Sequence, residues 1–210
     1  MKMKIEMWAD YTCPYCYMGQ ASLDQALQEL KLDVDVEIVH KSFQLEPNEP
    51  CHAGEDLNEL VAKRYGKSYA WGKAHNEQHT NMAAKFGLQL KLNKQIINNT
   101  SLAHQATKFA DKEGKKELMV ARIYQATFEQ GKDIGDSETL QELAEDIGLD
   151  PQKLAQALAQ KTYYQATQAD INEAMVTGVN GVPFYLINGK TPVYGLHAFK
   201  DILREASKRT

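Results

Sequence analysis

Residues 9–27 read ADYTCPYCYMGQASLDQAL, and the placing of two cysteines in this stretch decides the fold. Cys13 and Cys16 are separated by Pro14 and Tyr15, and a helical pattern starts at once. Proline suits the first helical position, because its missing N–H would have no intrahelical partner there. This predicts Cys13 at the N-cap and Cys16 in the first turn. Side chains three apart on a helix share a face, with Cβ atoms about 5–6 Å apart. Small adjustments bring such a pair to disulfide geometry. Unpaired N–H groups and the positive end of the helix dipole favour a thiolate at Cys13. Thiolate is the nucleophile of disulfide exchange, so Cys13 is expected to attack and Cys16 to resolve the mixed disulfide.

Two other readings compete with a redox dithiol. A zinc site wants four ligands, typically two such pairs, and the chain supplies one pair plus the distant Cys51. Two inert core cysteines would need a dry environment, which a helix start after a strand seldom provides. Neither the pair nor the third cysteine reads as a structural disulfide framework. In a reducing compartment a close pair points to catalysis or metal binding.

Composition narrows the function classes. Of the 210 residues, 43% are hydrophobic and 25% charged, an ordinary globular balance. The formal net charge of -4 leaves no basic footprint for nucleic acid. No apolar run approaches the length that spans a bilayer. The opening MKMKIEMWADYTC has lysines but no apolar core or small-residue cleavage site, so it is not a secretory signal. Taken as a full-length chain, the protein is expected to be cytoplasmic, with no membrane partner and as a monomer or homodimer.

The order of elements supports the dithiol. Residues 3–9, MKIEMWA, form a short apolar run that suits a buried strand. A helix is predicted from about Pro14 to Leu30. In residues 33–39, DVDVEIV, Val34, Val36 and Ile38 alternate with Asp33, Asp35 and Glu37, as in a half-buried strand. From about Glu55 to Gly178 the pattern is helical almost throughout. Leu57, Leu60, Val61 and Tyr65 share one face; Trp71, Ala74, Gln78, Met82 and Phe86 share another. Leu140, Leu143, Ala144 and Ile147 form a third stripe, with Asp136 as N-cap and Gly148 as stop. Asp150-Pro151 opens the next helix. In residues 183–195, PFYLINGKTPVYG, two short runs flank Asn188-Gly189, a strong hairpin signal. A last helix carries Phe199, Ile202, Leu203 and Ala206 on one face. The expected class is α/β: a thioredoxin fold, βαβ…ββα, with a large all-helical insertion. Residues 1–54 and 179–210 are assigned to the thioredoxin-like domain and 55–178 to the insertion.

Pro183 follows Val182 at a strand start, where it cannot donate to the ladder. A plain trans proline is the ordinary reading there, although such junctions also hold cis bonds. Together the CPYC at a helix start, the Val182-Pro183 junction and NGVPFYLING resemble the thioredoxin-fold DsbA superfamily, more closely its FrnE-like dithiol–disulfide isomerase branch. FQLEP at 43–47, NNTSLAH at 98–104, residues 131–150 and GVNGVPF at 178–184 extend the resemblance over nearly the whole chain. The resemblance implies that Pro183 is cis and faces the Cys13–Cys16 pair. It implies a protein dithiol–disulfide oxidoreductase or isomerase whose only redox group is the dithiol, with no metal and no cofactor, acting on protein or small-molecule thiols and disulfides. Relatives commonly carry a Ser-Gly-Ala-Gln-like run after the last strand, where this chain has VYGLHAF. Related kappa-class glutathione transferases and chromene-carboxylate isomerases usually use a serine at the first cysteine position, so the complete CPYC favours disulfide exchange. CPYC also occurs in the much shorter glutaredoxins, which keeps a glutathione-linked role open. A redox-sensing adaptor on the same fold is the remaining alternative.

Other residues are weaker candidates. The resemblance places the segment around Asn99, Thr100 and His104 near the active cleft and makes Val182, Pro183, Tyr15 and His104 candidate substrate-binding residues. By helical position alone His104 falls opposite Leu102, Ala106 and Phe109, on a solvated face. Trp8, Tyr11, Tyr15 and Tyr17 flank the dithiol as an apolar rim or as packing. Cys51, in the loop EPNEPCHAGED, reads as an accessible spare thiol. His75 and His79 lie one turn apart and are expected to line a helix surface or cleft rather than hold a metal.

Overall fold

The computed structural model describes residues 2–30 and 34–208. In chain order it runs β1 (Lys2–Ala9), α1 (Pro14–Glu29), β2 (Asp35–Ser42), α2 (Leu57–Arg64), α3 (Tyr69–Ala84), α4 (Ser101–Lys112) and α5 (Lys116–Gln125). Then follow α6 (Ser137–Asp146), α7 (Pro151–Ala159), α8 (Tyr164–Val176), β3 (Phe184–Ile187), β4 (Thr191–Tyr194) and α9 (Phe199–Ser207). By internal packing the chain divides into two compact units, Met1–Leu45 with Gln168–Thr210, and Glu46–Thr167.

The first unit holds a four-stranded sheet in the order β2-β1-β3-β4. β1 pairs parallel with β2 and antiparallel with β3, and β3 pairs antiparallel with β4. This is a thioredoxin-like fold of the α/β class. Met3, Ile5, Met7 and Trp8 in β1 are wholly buried, as a central strand covered on both faces requires. β2 departs from the predicted alternation. It begins at Asp35, leaves Val34 outside, and holds Val36 through Lys41 half-buried; Asp33 lies outside the described residues. An edge strand with one neighbour leaves both its faces partly open.

Turn chemistry at the far edge follows the sequence closely. Asn188 and Gly189 both have positive φ, 53° and 65°. The Lys190 N–H donates to the Ile187 carbonyl at 3.0 Å, which closes a turn of the mirror-image type. The Asn188 side chain also accepts the Lys4 N–H at 2.9 Å and so ties the turn to β1. Pro192 sits exposed on the edge strand β4, where its missing donor costs nothing.

The sequence pattern placed α8 with the helical block. Packing instead places its residues from Gln168 onward with the sheet, through a polar network around Trp8. The Trp8 indole N–H donates to the Asp170 carbonyl at 3.1 Å, and Trp8 packs with Ala174, Val179 and Phe184. The Asp170 carboxylate accepts the Ser42 N–H at 2.9 Å at the end of β2. Lys41 pairs with Glu173 at 2.6 Å, Asp170 at 3.6 Å and Glu6 at 3.9 Å, and lies 5.6 Å from the Trp8 ring centroid. Burial works against the Lys41 charge. The hydrogen bond to Glu173 and the charges of Asp170, Glu173 and Glu6 outweigh it and hold its pKa above the ordinary lysine value.

The second unit, described by itself, is helical. Its starts are capped as the sequence suggests: Asp136 accepts the Thr139 N–H at 2.8 Å, and Asp150 accepts those of Gln152 at 2.9 Å and Lys153 at 3.1 Å. Gly148 ends α6 in the left-handed region with φ 72°. The predicted face of α3 is wrong. Ala74 and Gln78 are exposed, and the buried face is Gly72, Asn76, His79 and Ala83. The reason is close approach: a Cβ on Gly72 would lie 2.2 Å from the Asn58 carbonyl of α2. At that distance Asn76 bonds Asn58 at 2.9 Å, and a polar seam replaces an apolar one.

Asp170→Ala should destabilise the protein by about 1–3 kcal/mol, because it orphans the buried Ser42 N–H and removes one partner of Lys41. Urea unfolding measures this, and an unchanged midpoint would show that the Asp170 carboxylate is not what anchors α8.

Candidate active site

The dithiol sits where β1 hands over to α1. After Ala9 the chain turns through Asp10, whose carbonyl accepts the Cys13 N–H at 3.2 Å and whose carboxylate accepts the Leu45 N–H at 2.7 Å. Asp10 is 2% exposed, so this turn is pinned from inside. Cys13 is the N-cap, with extended φ and ψ of -89° and 113°, and Pro14 takes the first helical position. The Cys13 carbonyl accepts the Cys16 N–H at 3.0 Å and starts the helical ladder.

Both sulfurs are well covered, but not equally. Cys13 retains 6% exposure and Cys16 none. The Cys13 thiol donates to the Val182 carbonyl at 3.8 Å, so the residue before Pro183 touches the first cysteine directly. The Val182-Pro183 bond is cis. Burial pushes the Cys16 thiol well above its ordinary pKa, and its hydrogen bond and proximity to Cys13 push the same way. All three cysteines are free thiols.

The predicted rim is only partly a rim. Tyr15 is 37% exposed beside the pair and Tyr17 is half-buried, but Trp8 and Tyr11 are interior packing. His104 belongs to the second unit. It is 4% exposed on α4, which is buried around most of its circumference, so the solvated face expected for it is not there. Cys51 is exposed, with its thiol 3.3 Å from the Asp133 carboxylate. His79 is buried and His75 half-buried; their rings meet edge-on at 4.4 Å, and His75 stacks on Trp71 at 4.7 Å. Burial first, and then the His75 charge, lower the His79 pKa. Among the described residues no group of three or more His, Cys, Asp or Glu side chains is placed to hold a metal ion.

One residue of this site escapes sequence inspection. Tyr185, two positions after Pro183, is wholly buried, and its hydroxyl has no hydrogen-bond partner among the described residues. An unmet buried hydroxyl costs about 1–3 kcal/mol. A Cβ on Gly19, one turn beyond Cys16 on α1, would lie 2.2 Å from that hydroxyl oxygen and 3.3 Å from Cγ of Pro183. The sequence signal was a tyrosine within an otherwise apolar strand, which reads equally well as packing.

A mixed four-stranded sheet with a dithiol opening the helix after its central strand defines a thioredoxin-type thiol oxidoreductase fold. The chain belongs to the DSBA-like thioredoxin domain family, whose model matches residues 4–205. It is 29% identical over 208 residues to the uncharacterized protein YwbO of Bacillus subtilis, covering 98% of this chain and 96% of that one. It superposes with a TM-score of 0.91 and 28% identity on a structure described as a probable DsbA oxidoreductase from Streptomyces coelicolor, covering 99% of this chain and 91% of that chain. At 17% identity the cytosolic disulfide reductase DsbM of Pseudomonas aeruginosa shares the fold, with a TM-score of 0.62 and coverage of 98% and 97%. Among the described residues no helix is long and apolar enough to cross a membrane.

In the reduced native protein, iodoacetamide should label Cys16 at least about tenfold more slowly than Cys13, because access requires local opening. Its labelling should keep rising with pH past the ordinary thiol value of about 8.5, the direction its burial dictates. Peptide mass spectrometry of timed samples reads both rates, and equal labelling of the two cysteines would contradict the burial described.

Proposed function

We propose that the protein is a thiol–disulfide oxidoreductase or isomerase in which Cys13 attacks and Cys16 resolves. The observation that carries this is the asymmetry of the pair: an N-cap cysteine that keeps 6% exposure and meets the Val182 carbonyl, and a second cysteine one turn inside with none. An incoming disulfide reaches only the outer sulfur. The Cys13 thiolate attacks it, a mixed disulfide forms, and the substrate's other sulfur leaves with the electron pair. Cys16, once deprotonated, then attacks Sγ of Cys13. The mixed disulfide breaks, the substrate leaves as a thiolate, and the protein keeps the Cys13–Cys16 disulfide. Reduction of a protein disulfide runs in this direction, and oxidation is its reverse.

Substrate binding is assigned to the backbone at Val182 and Pro183, with Tyr15 as an exposed aromatic contact beside the dithiol. The backbone before β3 is one to which an extended segment can pair, as in strand addition. Support for small thiols as partners comes from the Pseudomonas DsbM, solved with GSH. The dithiol is the only redox group this chemistry uses, and the reading rests on residues of the first unit alone.

Cys16→Ser should accumulate mixed disulfides through Cys13, visible on non-reducing gels and assignable by mass spectrometry. Cys13→Ser should abolish both turnover in an insulin-reduction assay and trapping, whereas Cys51→Ser should leave turnover nearly unchanged. Adducts through Cys16 would reverse the assigned order. No turnover by the wild-type protein with any thiol donor would favour a redox-sensing adaptor instead.

A further inference from the structure

Two local costs meet at one point of the site. Glycine in a helix interior is unfavourable, yet Gly19 stands within α1. An unmet buried hydroxyl is unfavourable too, yet Tyr185 brings one to the space that a Gly19 side chain would fill. Phenylalanine at 185 would keep the ring contact with Phe199, which lies 4.6 Å away edge-on, and remove the orphaned donor. Packing therefore explains the ring and leaves the hydroxyl unexplained.

The hydroxyl lies against the helix that carries Cys16. Gly19 and Cys16 are three apart on one face of α1, so their Cβ positions are about 5–6 Å apart. The Tyr185 oxygen lies 2.2 Å from where a Cβ on Gly19 would sit, with Pro183 packed against the same spot. The phenol also feels its neighbours: burial first, then the charges of Cys16, Cys13 and Asp24, push its pKa well above the ordinary tyrosine value. A phenol held neutral there is a donor, not a base.

We propose that the Tyr185 hydroxyl is a preorganised hydrogen-bond donor for the Cys16 thiolate formed when the Cys13–Cys16 disulfide opens. This rests on the dithiol reading above and adds a residue to it. A thiolate from an incoming thiol attacks Sγ of Cys13 and forms a new S–S bond. The Cys13–Cys16 bond breaks, and its electron pair goes to Sγ of Cys16. That sulfur becomes an anion in a site with no solvent exposure, where an unpaired charge is costly. The Tyr185 O–H turns to it and stabilises it until it takes back from solvent the proton that the attacking thiol released. Donors waiting where charge develops need no reorganisation during the reaction, as in an oxyanion hole. Gly19 keeps the space in which the hydroxyl waits.

The test compares wild type, Tyr185→Phe and Gly19→Ala, each oxidised and then reduced by dithiothreitol. Rapid acid quench and alkylation with mass readout give the rate of disulfide opening, and urea unfolding gives stability. Tyr185→Phe should open about tenfold more slowly, the size of one hydrogen bond to a charged group, with an unchanged or higher urea midpoint. Gly19→Ala should also open slowly, because its methyl group occupies the hydroxyl's place. An unchanged rate in Tyr185→Phe would overturn the role of the hydroxyl while leaving the dithiol reading intact. A slower rate with a lower urea midpoint would trace the effect to disturbed packing and overturn it as well. A wild-type protein that forms no reducible Cys13–Cys16 disulfide would remove both readings.

Discussion

The Tyr185 side chain reaches from β3 to Gly19 on α1, and its hydroxyl fills the space that a side chain there would take. A Cβ there would fall 2.2 Å from the Tyr185 hydroxyl and 3.3 Å from the Pro183 ring. At the start of the same helix the Cys13 thiol meets the Val182 carbonyl, just before β3. Cys16, one turn inside, is completely buried, and its raised pKa comes first from loss of water.

A second constraint holds the framework on which that contact is built. Trp8 lies in the central strand, paired with Phe184 at the start of β3, and its indole donates to the backbone of α8. Around it Glu6, Lys41, Asp170 and Glu173 form a largely buried charge network. Such networks are weak evidence for stability in themselves, because desolvation offsets much of the attraction. Here the network has a positional consequence: Asp170 bonds the last residue of β2, so α8 is registered to the strand edge next to the site. Asp10, a few residues along, pins the turn into α1 in a similar way.

In the proposed chemistry the pair divides labour by solvent access. On that reading Cys13, at the helix N-terminus, meets the substrate, and Cys16, with no exposure, meets Cys13. That division is what sequential disulfide exchange requires, since a second exposed sulfur would capture substrates without releasing them. Membership of the DSBA-like family and the 0.91 TM-score to the Streptomyces structure support the thioredoxin-type fold that carries the dithiol.

What the sequence determined by itself is whatever depends on neighbours along the chain. Pro14 after Cys13 set the helix start, Asp136 and Asp150 set two more, and Asn188-Gly189 set the hairpin, because caps and turns are satisfied within a few residues. The order of strands and helices, and with it the thioredoxin fold, was legible for the same reason. Tertiary structure alone decided what depends on residues far apart. His104 seemed solvated by its place on a helical wheel, but α4 is covered around most of its surface. Apolar spacing misplaced the face of α3, because Gly72 lets a backbone approach that polar Asn58 and Asn76 then fill. Residues of α8 went to the sheet because partners on β1 and β2, more than a hundred positions away, satisfy them. Tyr185 gained its meaning only when folding set its hydroxyl against Gly19, a contact across 166 positions (185 minus 19) that no local pattern encodes.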